Sequence, residues 1–310
     1  MRPRVVLVTC VAALLGVVAL TIPTTRGALA SLGAHSRAVT AFSDPPPTTP
    51  RTQTAQVVAQ PPPPQPTLRA PANPAAIHPP GGASFFGWAF LDRRTGAITG
   101  SANSATGTNT TESMVKAWIT ADYLRRQTEA GRAPDQGTLG ELTLMIIDSN
   151  DNIAEKYYEL DGTNAVIQRL ISMCGLTHTT IYPYWWAKTQ MTPQDAVRYG
   201  DCLASGKAAG AKWTDWLLET MRHVRGGVKD QIGPAKQGGR WGVLDGLPPA
   251  LAATTSIKNG WTAYKDGWHV NCLAVQREWV LNVMVRIGGL QAAADTCKLI
   301  TQQLVVTPAL

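Results

Sequence analysis

The chain has 310 residues, 44% hydrophobic and 16% charged, with a formal net charge of +7 and five cysteines. Its Lys and Arg residues are scattered instead of clustered among aromatics, which argues against a nucleic-acid partner and for a basic exported protein drawn towards an anionic envelope. The length would allow two domains, but the first third is too poor in large apolar residues to fold, so one domain is expected.

The chain opens "MRPRVVLVTCVAALLGVVALTIP", two arginines and then an apolar run from Val5 to Pro23. This is the pattern of a secretory signal or an uncleaved membrane anchor, and either one exports the body. "ALA" at Ala28 to Ala30 has the small-x-small form of a cleavage site, so residues 1–30 are assigned to this segment. A lipid on Cys10 is disfavoured because few residues precede it and Thr9 is a poor neighbour for lipoprotein processing. Residues 31–82 form the next region, Pro-rich from Ser43 to Gly82, and should be a disordered tether because they bury too little surface to offset chain entropy. Membrane contact is expected only through the N-terminal segment.

Residues 83–310 should hold the fold. "SFFGWAFLDRRTGAITGSA" reads as a β-hairpin, and from Glu112 a helical period places Met114, Val115, Trp118, Ile119 and Leu124 near one face. Further helices are predicted at 138–147, 152–160, 163–173, 192–205 and 211–221. Strands follow at 254–264, 268–276 and 279–287, then a closing helix at 291–304. The expected class is α+β: an antiparallel sheet built from both chain ends, with flanking helices and an inserted all-helical subdomain.

Beyond Cys10 the cysteine number is even, which in an oxidising compartment favours two disulfides over metal ligands. Sequence does not fix the pairing; Cys174 with Cys202 and Cys272 with Cys297 would each link neighbouring elements. The histidines lack metal-ligand spacing, and glycine loops suited to phosphate are absent, so no cofactor is expected. A Ser-His-Asp hydrolase has no Gly-x-Ser-x-Gly elbow to stand on. The aromatics Tyr182, Tyr184, Trp185 and Trp186 suit either a substrate cleft or packing between helices.

"TTESMVKAWIT" puts Ser113 and Lys116 three residues apart at a helix start. A desolvated Lys116 amine on the face of Ser113 can accept the hydroxyl proton, and the helix N-terminus offers an N–H to a developing oxyanion. Two later stretches, "LMIIDSNDNIAEKYYEL" and "TTSIKNGWTAY", complete a series: Ser-x-x-Lys, a serine on the helical part, and Lys-Asn-Gly-Trp on the sheet. In order and type of element the domain from about Ser84 to Leu304 resembles the class A β-lactamase-like and penicillin-binding serine hydrolases.

The resemblance implies that Ser113 is acylated, Lys116 moves its proton, Ser149 relays a proton to the leaving group, and Lys258 anchors a substrate carboxylate. Asp151, Asn259, Gly260 and Trp261 would bind substrate, with the Trp261 and Ser113 N–H groups as the oxyanion hole. Lys265 in "KDG" is the rival to Lys258, but it sits at a hairpin turn. An ungapped match keeps Ser149 and leaves Asp151 where the family has an amide; a one-residue slip would put Asn150 in place of the serine. The segment 162–194 contains no Asp or Glu until past Gln194, so the family's deacylating carboxylate is missing. A β-lactam or peptidoglycan-type peptide substrate, a slowly released acyl-enzyme and a monomer are expected; a weak or inactive envelope protein that binds wall peptides is the alternative.

Overall fold

The computed structural model describes residues 66–79, 81–231 and 238–307. The elements in chain order are β1 (Thr67–Arg69), β2 (Phe85–Asp92), β3 (Ala97–Gly100) and β4 (Asn109–Thr110), then a 3₁₀ turn (Glu112–Val115) running directly into α1 (Lys116–Glu129). Next come α2 (Gln136–Ile147), α3 (Asp151–Leu160), α4 (Asn164–Cys174), β5 (Gln190–Met191), α5 (Pro193–Ala204) and α6 (Thr214–Arg222). The chain closes with α7 (Val243–Gly246), α8 (Pro249–Ala252), β6 (Ser256–Tyr264), β7 (Gly267–Val275), β8 (Trp279–Ile287), α9 (Leu290–Gln302) and β9 (Val305–Thr307).

The main sheet has the order β3-β2-β8-β7-β6, with every pairing antiparallel, so strands from both chain ends meet at the β2–β8 ladder, as expected. Side chains alternate across a strand, so the two faces of β7 can be told apart by what they touch. Cys272 is bonded to Cys297 of α9, while its neighbour Leu273 lies against α5, where a Cβ at Gly200 would come 3.3 Å from Leu273 Cδ1 and 2.4 Å from Val280 Cγ1. The sheet is therefore covered by α9 on one face and α5 on the other, and Gly200 is what lets α5 approach so closely. Both disulfides, Cys174–Cys202 and Cys272–Cys297, pair as expected.

The inserted helical half is organised by α1, whose Trp118, Ile119 and Leu124 are fully buried; Ile119 and Leu124 each contribute roughly 1.5–3 kcal/mol by leaving water. The Trp118 indole donates to Val166 O at 2.8 Å, so this core residue leaves no unpaired donor. Asp122, also buried, is satisfied by Arg125 and by Arg169 Nε at 2.9 Å. Burying that carboxylate is tolerable only because two guanidinium groups meet it.

One boundary differs from expectation. The Pro-rich tether was expected to run to Gly82, but Thr67–Arg69 pairs antiparallel with Val305–Thr307, and Leu68 and Ile77 are buried. These two apolar side chains, isolated among prolines, have a surface to bury against once the C-terminal strand supplies a partner. The segment assigned as signal or anchor, and the tether before Pro66, lie outside the described residues. Among the described residues no helix is long and apolar enough to cross a membrane.

Candidate active site

Ser113 sits at the second position of the 3₁₀ turn, ahead of the start of α1 at Lys116, and is 9% exposed. The residue before it, Glu112, has φ 49°, a left-handed backbone that a non-glycine residue adopts only at a cost. What holds it there is its own side chain. The buried Glu112 carboxylate accepts from Thr262 Oγ1 at 2.6 Å and Tyr264 OH at 3.0 Å, so both oxygens are fastened to alternate residues of β6. Burial raises its pKa, opposed by hydrogen bonds from Thr110, Thr262 and Tyr264 and by His269.

This staple brings β6 against the nucleophile turn. A Cβ on Gly260 would lie 2.4 Å from Thr111 O, 2.7 Å from Met114 N and 2.9 Å from Ser113 N, so no other residue fits there without moving backbone. Gly260 thus serves the site by the absence of a side chain.

Lys116, on the first turn of α1, is completely buried. Its Nζ does not bond Ser113 Oγ as expected; it donates to Ser149 O at 2.5 Å, Asp151 Oδ1 at 2.5 Å and, more weakly, Ser149 Oγ at 3.3 Å. A carboxylate and a carbonyl outcompete a neutral hydroxyl for an ammonium. Desolvation pulls its pKa down to about 8 against the opposing pull of Asp151 and Glu112.

Ser149 also has a left-handed backbone, φ 56°, and is buried. Its Oγ accepts from Lys258 Nζ at 2.9 Å, so one hydroxyl lies between the two lysines. The neighbouring Asn150 turns its side chain to the Ile153 N–H at 3.0 Å, capping α3, which excludes the slipped register that put Asn150 in the serine's place. Asp151, expected to meet substrate, keeps an exposed side chain with one oxygen on Lys116.

Lys258, on edge strand β6, is fully buried and forms no ion pair among the described residues. Burial, and then the charge of Lys116, hold its pKa well below the usual lysine range, with Asp151 opposing. Its other hydrogen bond goes to Asn259 O at 3.2 Å. Asn259, expected to bind substrate, has its side chain turned the other way: it is buried and donates its amide to Gly239 O and Trp241 O at 2.8 and 2.9 Å, because a strand side chain facing away from Lys258's side must be satisfied by the loop behind it. Trp261 is half-buried, edge-on to Trp241 with ring centroids 5.7 Å apart.

The loop between α4 and β5 supplies the remaining wall. Its aromatics divide: Tyr184 is 75% exposed and Trp185 50%, whereas Trp186 is 5% exposed. The Trp186 ring centroid lies 5.1 Å from Lys116 Nζ, its Nε1 donates to Glu155 Oε2 at 2.9 Å, and its carbonyl accepts from Thr111 Oγ1 at 3.3 Å. Trp186 was weighed from the sequence, with its aromatic neighbours, as either cleft lining or packing; Glu112 and Glu155 were not singled out, and Glu112's only signal was an acidic residue directly before the candidate nucleophile.

Comparison with solved structures agrees on the fold. A β-lactamase from Xanthomonas campestris superposes with a TM-score of 0.56 at 15% identity, over 72% of this chain and 91% of that one. A protein described as PBP-A superposes with a TM-score of 0.52 at 15% identity, over 74% and 91%. The fold is therefore that of the class A β-lactamases and penicillin-binding-like proteins. In sequence, the chain is 30% identical over 176 residues to LppW of Mycobacterium tuberculosis and of Mycobacterium bovis, a protein that bears the name of a lipoprotein. The match covers 56% of this chain, and the chain spans about half the length of these relatives, 52%. No protein-family profile matches.

Proposed function

We propose that the protein is an exported serine hydrolase that forms an acyl-enzyme at Ser113 with β-lactams or peptidoglycan-type peptides and releases it slowly. The observation that carries this reading is the shared hydroxyl: Ser149 Oγ lies between Lys116 and Lys258, both buried, in the wall beside Ser113. Neutral Lys116 takes the proton of Ser113 as Oγ bonds to the acyl carbon. Ser149 passes a proton to the departing nitrogen as its bond to that carbon breaks, leaving an ester on Ser113 and an N–H on the leaving group. The N–H groups of Ser113 and Trp261 face the oxyanion. Lys258, without an ion pair among the described residues, receives the substrate's carboxylate. Export to the envelope fits the opening apolar segment and the lipoprotein name borne by LppW.

A second reading, a binding protein with little turnover, is favoured by one observation: Lys116 is held by Asp151 and the Ser149 carbonyl instead of by Ser113. Intact-protein mass spectrometry with a fluorescent penicillin separates the two. A covalent adduct on the wild type that is absent in Ser113→Ala supports the acyl-enzyme; no adduct and no β-lactam consumed leaves the binding role.

A further inference from the structure

A carbonyl ester on Ser113 is hydrolysed only if a water can stand beside it with a base to take its proton. On the loop side of Lys116 that space is filled. Trp186 is nearly fully buried, its ring is against the Lys116 ammonium, and its backbone is tied to Thr111, two residues before the nucleophile. The nearby carboxylates are engaged: Asp151 with Lys116, and Glu155 with the edge of the indole itself.

We infer that Trp186 is a water-excluding plug, positioned by Glu155, that sets the lifetime of the acyl-enzyme. The inference rests on the acyl-enzyme reading above and extends it by naming what blocks hydrolysis in this chain. Two features make the placement specific. The indole N–H needs an acceptor when buried, and Glu155, one turn into α3, provides it, so the ring has one orientation instead of several. The ring face also offers its negative quadrupole to a buried ammonium, which a water-filled gap would otherwise solvate.

The converse follows from the same geometry. Without the indole, the space beside Lys116 opens and the Glu155 carboxylate faces it with no partner. A water there can add its oxygen to the acyl carbon while Glu155 takes its proton; the bond from carbon to Ser113 Oγ then breaks, Oγ recovers the proton, and the carboxylic acid leaves. Glu155 is a positioning residue in the wild type and becomes a base only when the plug is gone.

The test is the decay of a penicillin adduct on the full protein, followed by mass after removal of free drug. Trp186→Ala should shorten the adduct lifetime about ten-fold or more, while the acylation rate changes much less. Trp186→Phe, which keeps a ring and loses the N–H, should fall between. Adding Glu155→Gln to Trp186→Ala should restore much of the lifetime, since an amide cannot take the proton; Glu155→Gln alone still accepts from the indole and should match the wild type. If Trp186→Ala and Trp186→Phe acylate and release at the wild-type rate, Trp186 is no plug. If the wild type and all variants fail to acylate, the acyl-enzyme reading falls and this inference with it.

Discussion

The two walls beside Ser113 are built on opposite plans. The β6 wall is polar and cross-tied: Glu112 grips Thr262 and Tyr264, Gly260 lets backbone meet backbone, and Lys258 reaches Ser149. The loop wall is aromatic: the buried Trp186 side chain makes a single hydrogen bond, to Glu155, while the loop backbone is tied to Thr111 through Thr189 O and Trp186 O, with Tyr184 and Trp185 exposed outside it. Parts that would form an acyl bond lie in the cross-tied wall, in the 3₁₀ turn and first turn of α1, and in the turn before α3; the wall where a hydrolytic water would be activated is filled with carbon. On the proposed acyl-enzyme reading, the difference implies that making and breaking the acyl bond would be tuned separately, since they would depend on different surfaces.

The largest expected effect tests whether α1 belongs with the acylating wall. Lys116→Ala should slow penicillin acylation about 10²–10⁴-fold, the usual worth of a positioned base, and Ser113→Ala should abolish it. Next, Lys258→Ala should cripple acylation by carboxylate-bearing β-lactams and leave a neutral ester largely unaffected, as judged by kcat/KM on both; equal losses on the two would remove Lys258 from carboxylate binding.

The pH dependence sharpens the same comparison. Because burial brings Lys116 to about 8, acylation should rise about ten-fold per pH unit up to there and then level off. Asp151 opposes that shift, so Asp151→Asn should move the break to lower pH, seen in a pH–rate profile of the acylation step.

The smallest effect concerns the staple. Glu112→Gln should lower acylation a few-fold by loosening β6 from the nucleophile turn, and its stability defect should depend on pH. Glu112 has a folded pKa raised above 4.5, so its neutral form stabilises the wild type below that pH and the contribution is lost as pH rises through the raised value. The gap between wild type and Glu112→Gln in thermal unfolding should therefore narrow from pH 4 towards neutrality; a constant gap would show that Glu112 acts only as a packed side chain.

Much of this architecture was legible in the sequence where a pattern repeats. The alternation in "SIKNGWTAY" and the helical period of "ESMVKAWITADYL" located their elements to within a few residues, and the cysteines paired as their neighbouring elements suggested. Ser113, Lys116, Ser149 and Lys258 were picked out as candidates by three short motifs, and the structure brings Lys116, Ser149 and Lys258 together through one hydroxyl. What could not be read is what long-range contact decides. Leu68 gains a strand only through Val306, far along the chain, and Trp186 takes its place through Glu155 on another element, with no periodicity in its loop to announce it. Nor does a string of letters show that Asn259 points away from the site and Lys258 into it, though strand alternation would have allowed that inference once one of them was fixed.

The pairing of Thr67–Arg69 with Val305–Thr307 also has a mechanical meaning. Tension arriving along the chain from upstream of Thr67 enters the domain through a ladder only three residues long, far from Ser113 in the sequence. Should that ladder peel, the load passes along the chain to β2, which is paired antiparallel along its whole length with β8 of the main sheet. The outermost strand pair is thus a yielding joint, and the longer β2–β8 ladder is the one that bears the pull once it opens.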